Sequence, residues 1–209
     1  PGFIAPGLAH TVGRLRRSVI EDLALEEHGL SLLTPAVRMF APQPDGSSVT
    51  FWGDPARTAD ELRGRNPRDA DAFPEFDRKV RAIASFLSYV NVAIPPDLSS
   101  PTLADALSGV KVGWVFRGLG ARYGREATRM MPMAVADLVQ EAFEEEAVRG
   151  PLSTRGVMFT ACGPWSAGTA AVFLNDSAGN DGGAAGTAVF ARGGTQALAA
   201  ALASAASSA

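Results

Sequence analysis

The chain is poor in the side chains that most often carry covalent or metal chemistry. Its 209 residues include one cysteine, Cys162, and two histidines, His10 and His28. A lone cysteine excludes an internal disulfide framework and a cysteine-rich metal site, and it suits a reducing, cytoplasmic compartment. Neither histidine sits in an HxxE or HxxxH spacing, so no metal site is expected. There is no Gly-x-Ser-x-Gly elbow for a Ser-His-Asp hydrolase. No uninterrupted apolar run approaches the ~18 residues of a membrane span. An excess of positive charge is missing too. The formal net charge is −3 and the isoelectric point about 5.4, which argues against nucleic acid as a partner.

What is present is a globular composition, 46% hydrophobic and 20% charged, enough for one sizeable core or two small ones. Leu15, Val19, Leu23 and Leu25 predict a helix over 15–28, with Gly29 as its stop. Residues 30–40 read as a strand, Pro42–Gly46 as a turn and 48–52 as the return strand of a hairpin. Asp54-Pro55 and Asn66-Pro67 are N-cap and first-turn pairs that open two helices. The second carries Phe73, Phe76, Val80, Ile83, Phe86 and Leu87 at core spacing, and Pro74 inside it predicts a kink or a division into two. A linker over 94–101 and a short capped helix over 102–107 follow, and 110–124 is ambiguous. Residues 133–146 predict a helix ended by Arg149-Gly150-Pro151, and 163–174 a Gly-Pro turn leading into an apolar helix. Residues 175–186 read as a Gly/Asn/Asp loop, and strands are expected near 157–160 and 187–191. No internal repeat is visible.

Ala188-Val189-Phe190-Ala191 runs into Arg192-Gly193-Gly194, and an Ala/Leu helix follows at once. Two glycines at a strand-to-helix junction let a ligand approach the backbone, and the helix start offers free N–H donors to a polar group. The same arrangement also turns an ordinary corner.

Other candidates have plainer readings. Gly118-Leu119-Gly120 resembles part of a dinucleotide fingerprint, but Tyr123 stands where the third small residue belongs. A basic segment with solvated Arg117, Arg122, Arg125 and Arg129 is the better reading. His28 suits a helix C-terminus, Cys162 a small buried side chain, and Glu144-Glu145-Glu146 a solvated face. Phe73, Phe76, Phe86, Trp114, Met130, Met131, Met133, Trp165 and Phe173 are assigned to core packing ahead of a lipophilic pocket.

Taken in order, several short stretches resemble the phytoene-desaturase-like FAD-dependent oxidoreductases of the wider carotenoid-dehydrogenase and amine-oxidase group. They are Pro1-Gly2-Phe3, Leu25-x-x-His28-Gly29-Leu30, Pro44-Asp45-Gly46 and Asn66-Pro67-Arg68-Asp69-Ala70. Ala136-Asp137-Leu138 with Phe143, and Gly163-Pro164-x-Ser166-x-Gly168-Thr169-Ala170, continue the series. Gly182-Gly183-x-x-Gly186 with Arg192-Gly193-Gly194 completes it. Three places depart from the pattern: Ala167 replaces a proline, Thr195 a common methionine, and 175–181 is rearranged.

The resemblance implies an α+β fold, with a mixed, mainly antiparallel sheet covered by helices. It would be the substrate-binding region of an FAD/NAD(P)-binding-type oxidoreductase, without the N-terminal Rossmann motif that holds FAD pyrophosphate. Residues 1–186 would form the substrate-binding region, with a helical insert over 54–150, and 187–209 would return to the FAD-binding domain. Pro1 reads as mid-loop and 203–209 stops inside a helical pattern, so a partial chain, inactive alone, is expected. Gly193 and Gly194, with Pro1, Gly2 and Phe3, are the implied contacts to FAD or substrate, and no catalytic residue is assigned. A small lipophilic or otherwise unidentified organic substrate and a peripheral membrane contact are the expected partners. The rival reading is a non-catalytic lipid-binding or protein-interaction module.

Overall fold

The computed structural model describes residues 10–97, 99–100, 102–179 and 182–208. Helices dominate. In chain order the elements are α1 (Arg17–Asp22), β1 (Leu32–Leu33), β2 (Val37–Pro42), β3 (Ser48–Trp52), α2 (Pro55–Arg63) and α3 (Pro67–Val90). Then come α4 (Leu103–Gly118), α5 (Gly120–Met130), α6 (Val135–Ala142), α7 (Glu146–Val157), α8 (Thr169–Ser177), β4 (Phe190–Ala191) and α9 (Thr195–Ser208). Helices with small antiparallel ladders agree with an α+β class.

The sheet differs from the expectation. Among the described residues there are two separate two-stranded antiparallel ladders, β2–β3 and β1–β4, in place of one mixed sheet. Thr34 and Pro35 divide the 30–40 run, so its first part pairs with β4 and its second with β3. The hairpin turn follows its residues closely. Gly46 sits at φ 84°, and the Asp45 carboxylate accepts hydrogen bonds from the backbone N–H and hydroxyl of Ser47.

Local capping chemistry explains the helix starts. The Asp54 side chain accepts from the N–H of Ala56, and Asn66 accepts from Arg68 and Asp69. Pro74 neither ends nor divides α3. Buried Ala70, Phe73, Phe76, Val80, Ile83 and Leu87 fall on both sides of it, and packing of that face outweighs one missing backbone bond. Pro151 likewise lies inside α7, so Arg149-Gly150-Pro151 is not a stop. The helix expected over 133–146 ends instead at Ala142, where Phe143 turns extended to insert its ring into the core. Helix α1 covers only the start of 15–28, because Ala24 takes φ 47° and breaks the run. The ambiguous 110–124 segment is helical throughout except at Leu119. No strand forms at 157–160, where Phe159 adopts φ 63°.

Two cores result. The larger joins the β2–β3 ladder to α2, α3 and α5–α8 through a chain of phenylalanines: Phe51–Phe73 at 6.1 Å, Phe73–Phe143 at 5.9 Å, Phe76–Phe143 at 5.0 Å and Phe76–Phe173 at 6.2 Å. The smaller packs Val12, Ile20, Leu25 and Leu30 against Val189, Ala191 and Ala201. Trp114 and Trp165 belong to neither core, and Cys162 is exposed, contrary to the burial expected for all three.

Candidate functional site

The glycine pair lies where β4 gives way to α9. Arg192 N–H donates to the Ser31 carbonyl at 2.8 Å, which continues the β1–β4 ladder by one bond. The chain then turns through Gly193 at φ 86° and Gly194 at φ 85°, and Gly194 N–H closes the turn on the Ala191 carbonyl at 2.9 Å. Two successive left-handed residues exclude β-branched side chains and strain any other L residue. Crowding plays no part. A Cβ on Gly194 would meet nothing within 4 Å, and one on Gly193 only the Ala197 methyl at 3.7 Å. The backbone here is bare and approachable, beside the first turn of a fourteen-residue helix. Pro1, Gly2 and Phe3, expected to meet the same ligand, lie outside the described residues.

The pair lies outside a neighbouring cleft. A cleft of 660 Å³ opens nearby in the fold, against α1 and the β1–β4 ladder, with walls from Arg17, Ile20, Glu21, Glu27, Leu32 and Val189. Neither glycine contributes to it. His28 Nδ1 lies 3.0 Å from the Ser204 hydroxyl on α9.

The other stretches that carry the resemblance do structural work. The Asp69 carboxylate, fully buried, accepts from the N–H groups of Glu144 (2.9 Å) and Glu145 (2.8 Å) and thereby caps the start of α7. The Thr169 hydroxyl accepts from Val135 N–H at 2.8 Å and so caps α6. In the Gly182–Gly186 segment the backbone is pressed against buried charges. Ala184 N–H donates to Asp77 at 2.7 Å, and Arg81 Nε donates to the same carboxylate at 2.6 Å.

Arg155, only 5% exposed, is the centre of this arrangement and was not singled out from the sequence. Its Nε and one terminal nitrogen donate to Asp176 at 3.0 and 2.6 Å, and that same terminal nitrogen also donates to the Ser177 hydroxyl. The other terminal nitrogen donates to the Ala184 carbonyl at 2.6 Å, and the guanidinium lies 4.6 Å over the Phe173 ring. Burial pushes its pKa below the ordinary arginine value, while the Asp176 charge pulls it back up. Donors this fully engaged make a lock for the 182–186 segment and leave nothing to offer a substrate. The only sequence signal was an arginine in an otherwise apolar and glycine-rich setting.

Gly118–Gly124 is a helix–helix corner, not a phosphate loop. The dinucleotide pattern needs a strand before its first glycine, and here α4 occupies that place. Among the described residues no group of three or more His, Cys, Asp or Glu side chains is arranged to hold a metal ion, and no helix is long and apolar enough to cross a membrane.

Comparison with known proteins gives a distant kinship. The chain is 24% identical over 220 residues to the pyridine nucleotide-disulfide oxidoreductase domain-containing protein 2 of Rattus norvegicus, and 24% identical to its counterpart in Mus musculus. Each match takes in 99% of this chain and 38% of the relative. The chain therefore spans well under half the length of these relatives. No known protein-family signature matches it, and no solved structure does. The chain is a distant relative of oxidoreductase-domain proteins.

Proposed function

We propose that this chain is the substrate-facing part of an FAD-dependent oxidoreductase of the phytoene-desaturase-like kind, and that Gly193 and Gly194 are its contact with the flavin. One observation carries the reading. Gly193 and Gly194 are two successive left-handed glycines that present open backbone beside the start of α9, whereas Gly182-Gly183-x-x-Gly186 is occupied by packing. The residues fit a flat ring, since no side chain stands on the turn and space remains where Cβ atoms would be.

FAD, when bound, supplies the hydride acceptor. This chain's residues would position and shield. The Gly193–Gly194 turn would allow a close backbone approach, and the first turn of α9 would offer a positive dipole end to a polar group of the flavin. In such chemistry the cofactor takes the hydride, and the protein would orient a lipophilic or other organic substrate. The full-length protein is expected to purify with flavin and to be bleached by its substrate, whereas the 209 residues alone are expected to hold little FAD. Gly193→Val should lower flavin retention. A full-length protein that neither retains nor responds to FAD overturns the reading. The rival reading, a non-catalytic lipid-binding or protein-interaction module, is favoured by the bare apolar face of α4.

A further inference from the structure

The segment that leads into α1 is basic in an acidic chain. Arg14, Arg16 and Arg17 fall within four residues, although the formal net charge of the whole is −3. All three line one cleft of about 380 Å³, between residues 13–18, the end of α3 at Asn91 and Val92, and the end of α8 at 175–179. Among the described residues, none that lines it is an aspartate or glutamate. The cleft lies between the two cores: Val12 and Ile20 on either side of residues 13–18 belong to the smaller, and Leu87 of α3 and Leu174 of α8 to the larger.

Two of the arginines already reach across it. Arg16 donates to the Asn91 carbonyl at 2.9 Å, and Arg14 lies 3.3 Å from Asp176. A guanidinium has five N–H donors, so these contacts use only a small part of what the cleft offers. Nor do the charges balance. Asp176 serves both Arg14 and the buried Arg155, and Arg17 meets Glu21 at 3.1 Å in an exposed pair of little strength. Arg16 meets no carboxylate among the described residues. Four arginines are thus met by two carboxylates, which leaves a surplus of two positive charges. The crowding registers at Arg155, whose pKa is lowered first by burial and further by the charge of Arg14.

Charge and shape select the occupant. A monocarboxylate would offset half of the surplus, whereas a phosphate monoester brings nearly two negative charges at neutral pH. The guanidinium fork also matches phosphate oxygens two at a time. A phosphate alone would leave much of the cleft empty, and Leu15, Val92 and Ala178 give it an apolar side.

We propose that this cleft binds a small organic phosphate monoester, with the phosphate held by Arg14, Arg16 and Arg17 and the organic body against Leu15 and Val92. A ligand so held ties the smaller core to the larger. The proposal does not rest on the flavin reading.

The test is isothermal titration calorimetry of the full-length protein with phenyl phosphate as the probe, beside inorganic phosphate and benzoate. Phenyl phosphate is expected to bind about tenfold more tightly than benzoate, several-fold more tightly than inorganic phosphate, and less tightly as salt rises. Arg16→Gln and Arg17→Gln should each weaken it roughly fivefold or more. Both change exposed side chains, and Arg17 is 84% exposed with Glu21 as its partner, so lost binding is separated from lost folding. Val92→Ser should erase the advantage of phenyl phosphate and leave inorganic phosphate unaffected. No binding, benzoate binding as tightly as phenyl phosphate, or indifference to both arginine substitutions overturns the proposal. A full preference for phenyl phosphate in Val92→Ser overturns it too. So does release of flavin by phenyl phosphate, which assigns the cleft to the cofactor.

Discussion

Two regions of the molecule use glycine in opposite ways. At the 182–186 segment and the helix α7 that holds it, glycine is where other groups need room. A Cβ at Gly186 would stand 2.8 Å from Arg155 Nε, one at Gly183 2.4 Å from an Asp77 oxygen, and one at Gly156 2.7 Å from Val135. In the smaller core, Gly193 and Gly194 have room to spare and are glycine because the backbone turns left-handed twice. A crowded glycine reports packing that is already complete. An uncrowded one on an exposed turn leaves space for something else, and at residues 193–194 two such glycines stand in succession at the start of α9.

The contrast can be broken most sharply at Arg155. Arg155→Leu strands the Ala184 carbonyl and leaves the Asp176 carboxylate with Arg14 alone, and should cost about 3 kcal/mol in denaturant unfolding. A loss below about 1 kcal/mol would mean that the 182–186 segment is not locked as described. Next comes Asp69→Ala, which removes the acceptor for two N–H groups at the start of α7 and should cost about 1–2 kcal/mol by the same measurement. Gly193→Ala should cost only about 1–2 kcal/mol of backbone strain yet reduce FAD retention in the full-length protein. If stability falls and flavin content does not, the turn is merely a corner.

The smallest effect expected is at α4, the exposed element attached to the larger core. Thr102 and Asp105 form a reciprocal capping box at its start. The hydrogen bond from the Thr102 hydroxyl, and then that from its backbone N–H, hold the Asp105 pKa below its ordinary value of 3.8. A lowered carboxylate pKa stabilises the folded state above the ordinary value, and that contribution is lost as pH falls through the lowered one. Hydrogen exchange in the first turn of α4 should therefore accelerate below about pH 4, ahead of exchange in α3. Simultaneous acceleration in both helices would show that the cap does not act locally.

Much of the fold was legible because its causes are local. Asp54 and Asn66 cap the residues two and three positions on, the Asp45-Gly46 turn closes on Ser47, and the apolar period of α3 persists through Pro74. The misreadings share a cause. Pro74 and Pro151 were weighed as local breakers, but both lie inside helices with buried faces on either side of the proline, where tertiary packing holds the run together. The glycine pair was found from its neighbours in sequence, whereas its openness needed the surrounding atoms.

By itself, then, the sequence determined the caps, the hairpin and the amphipathic helices, and it carries the distant oxidoreductase kinship, since each depends on residues close along the chain or on their order. Only the tertiary structure decided that Asp69 serves α7, that Arg155 binds the 182–186 backbone, that one face of α4 stays bare, and which glycines are crowded. Those contacts join residues far apart in sequence, such as Asp77 with Ala184, and no local pattern specifies which distant group will be brought near when two cores form.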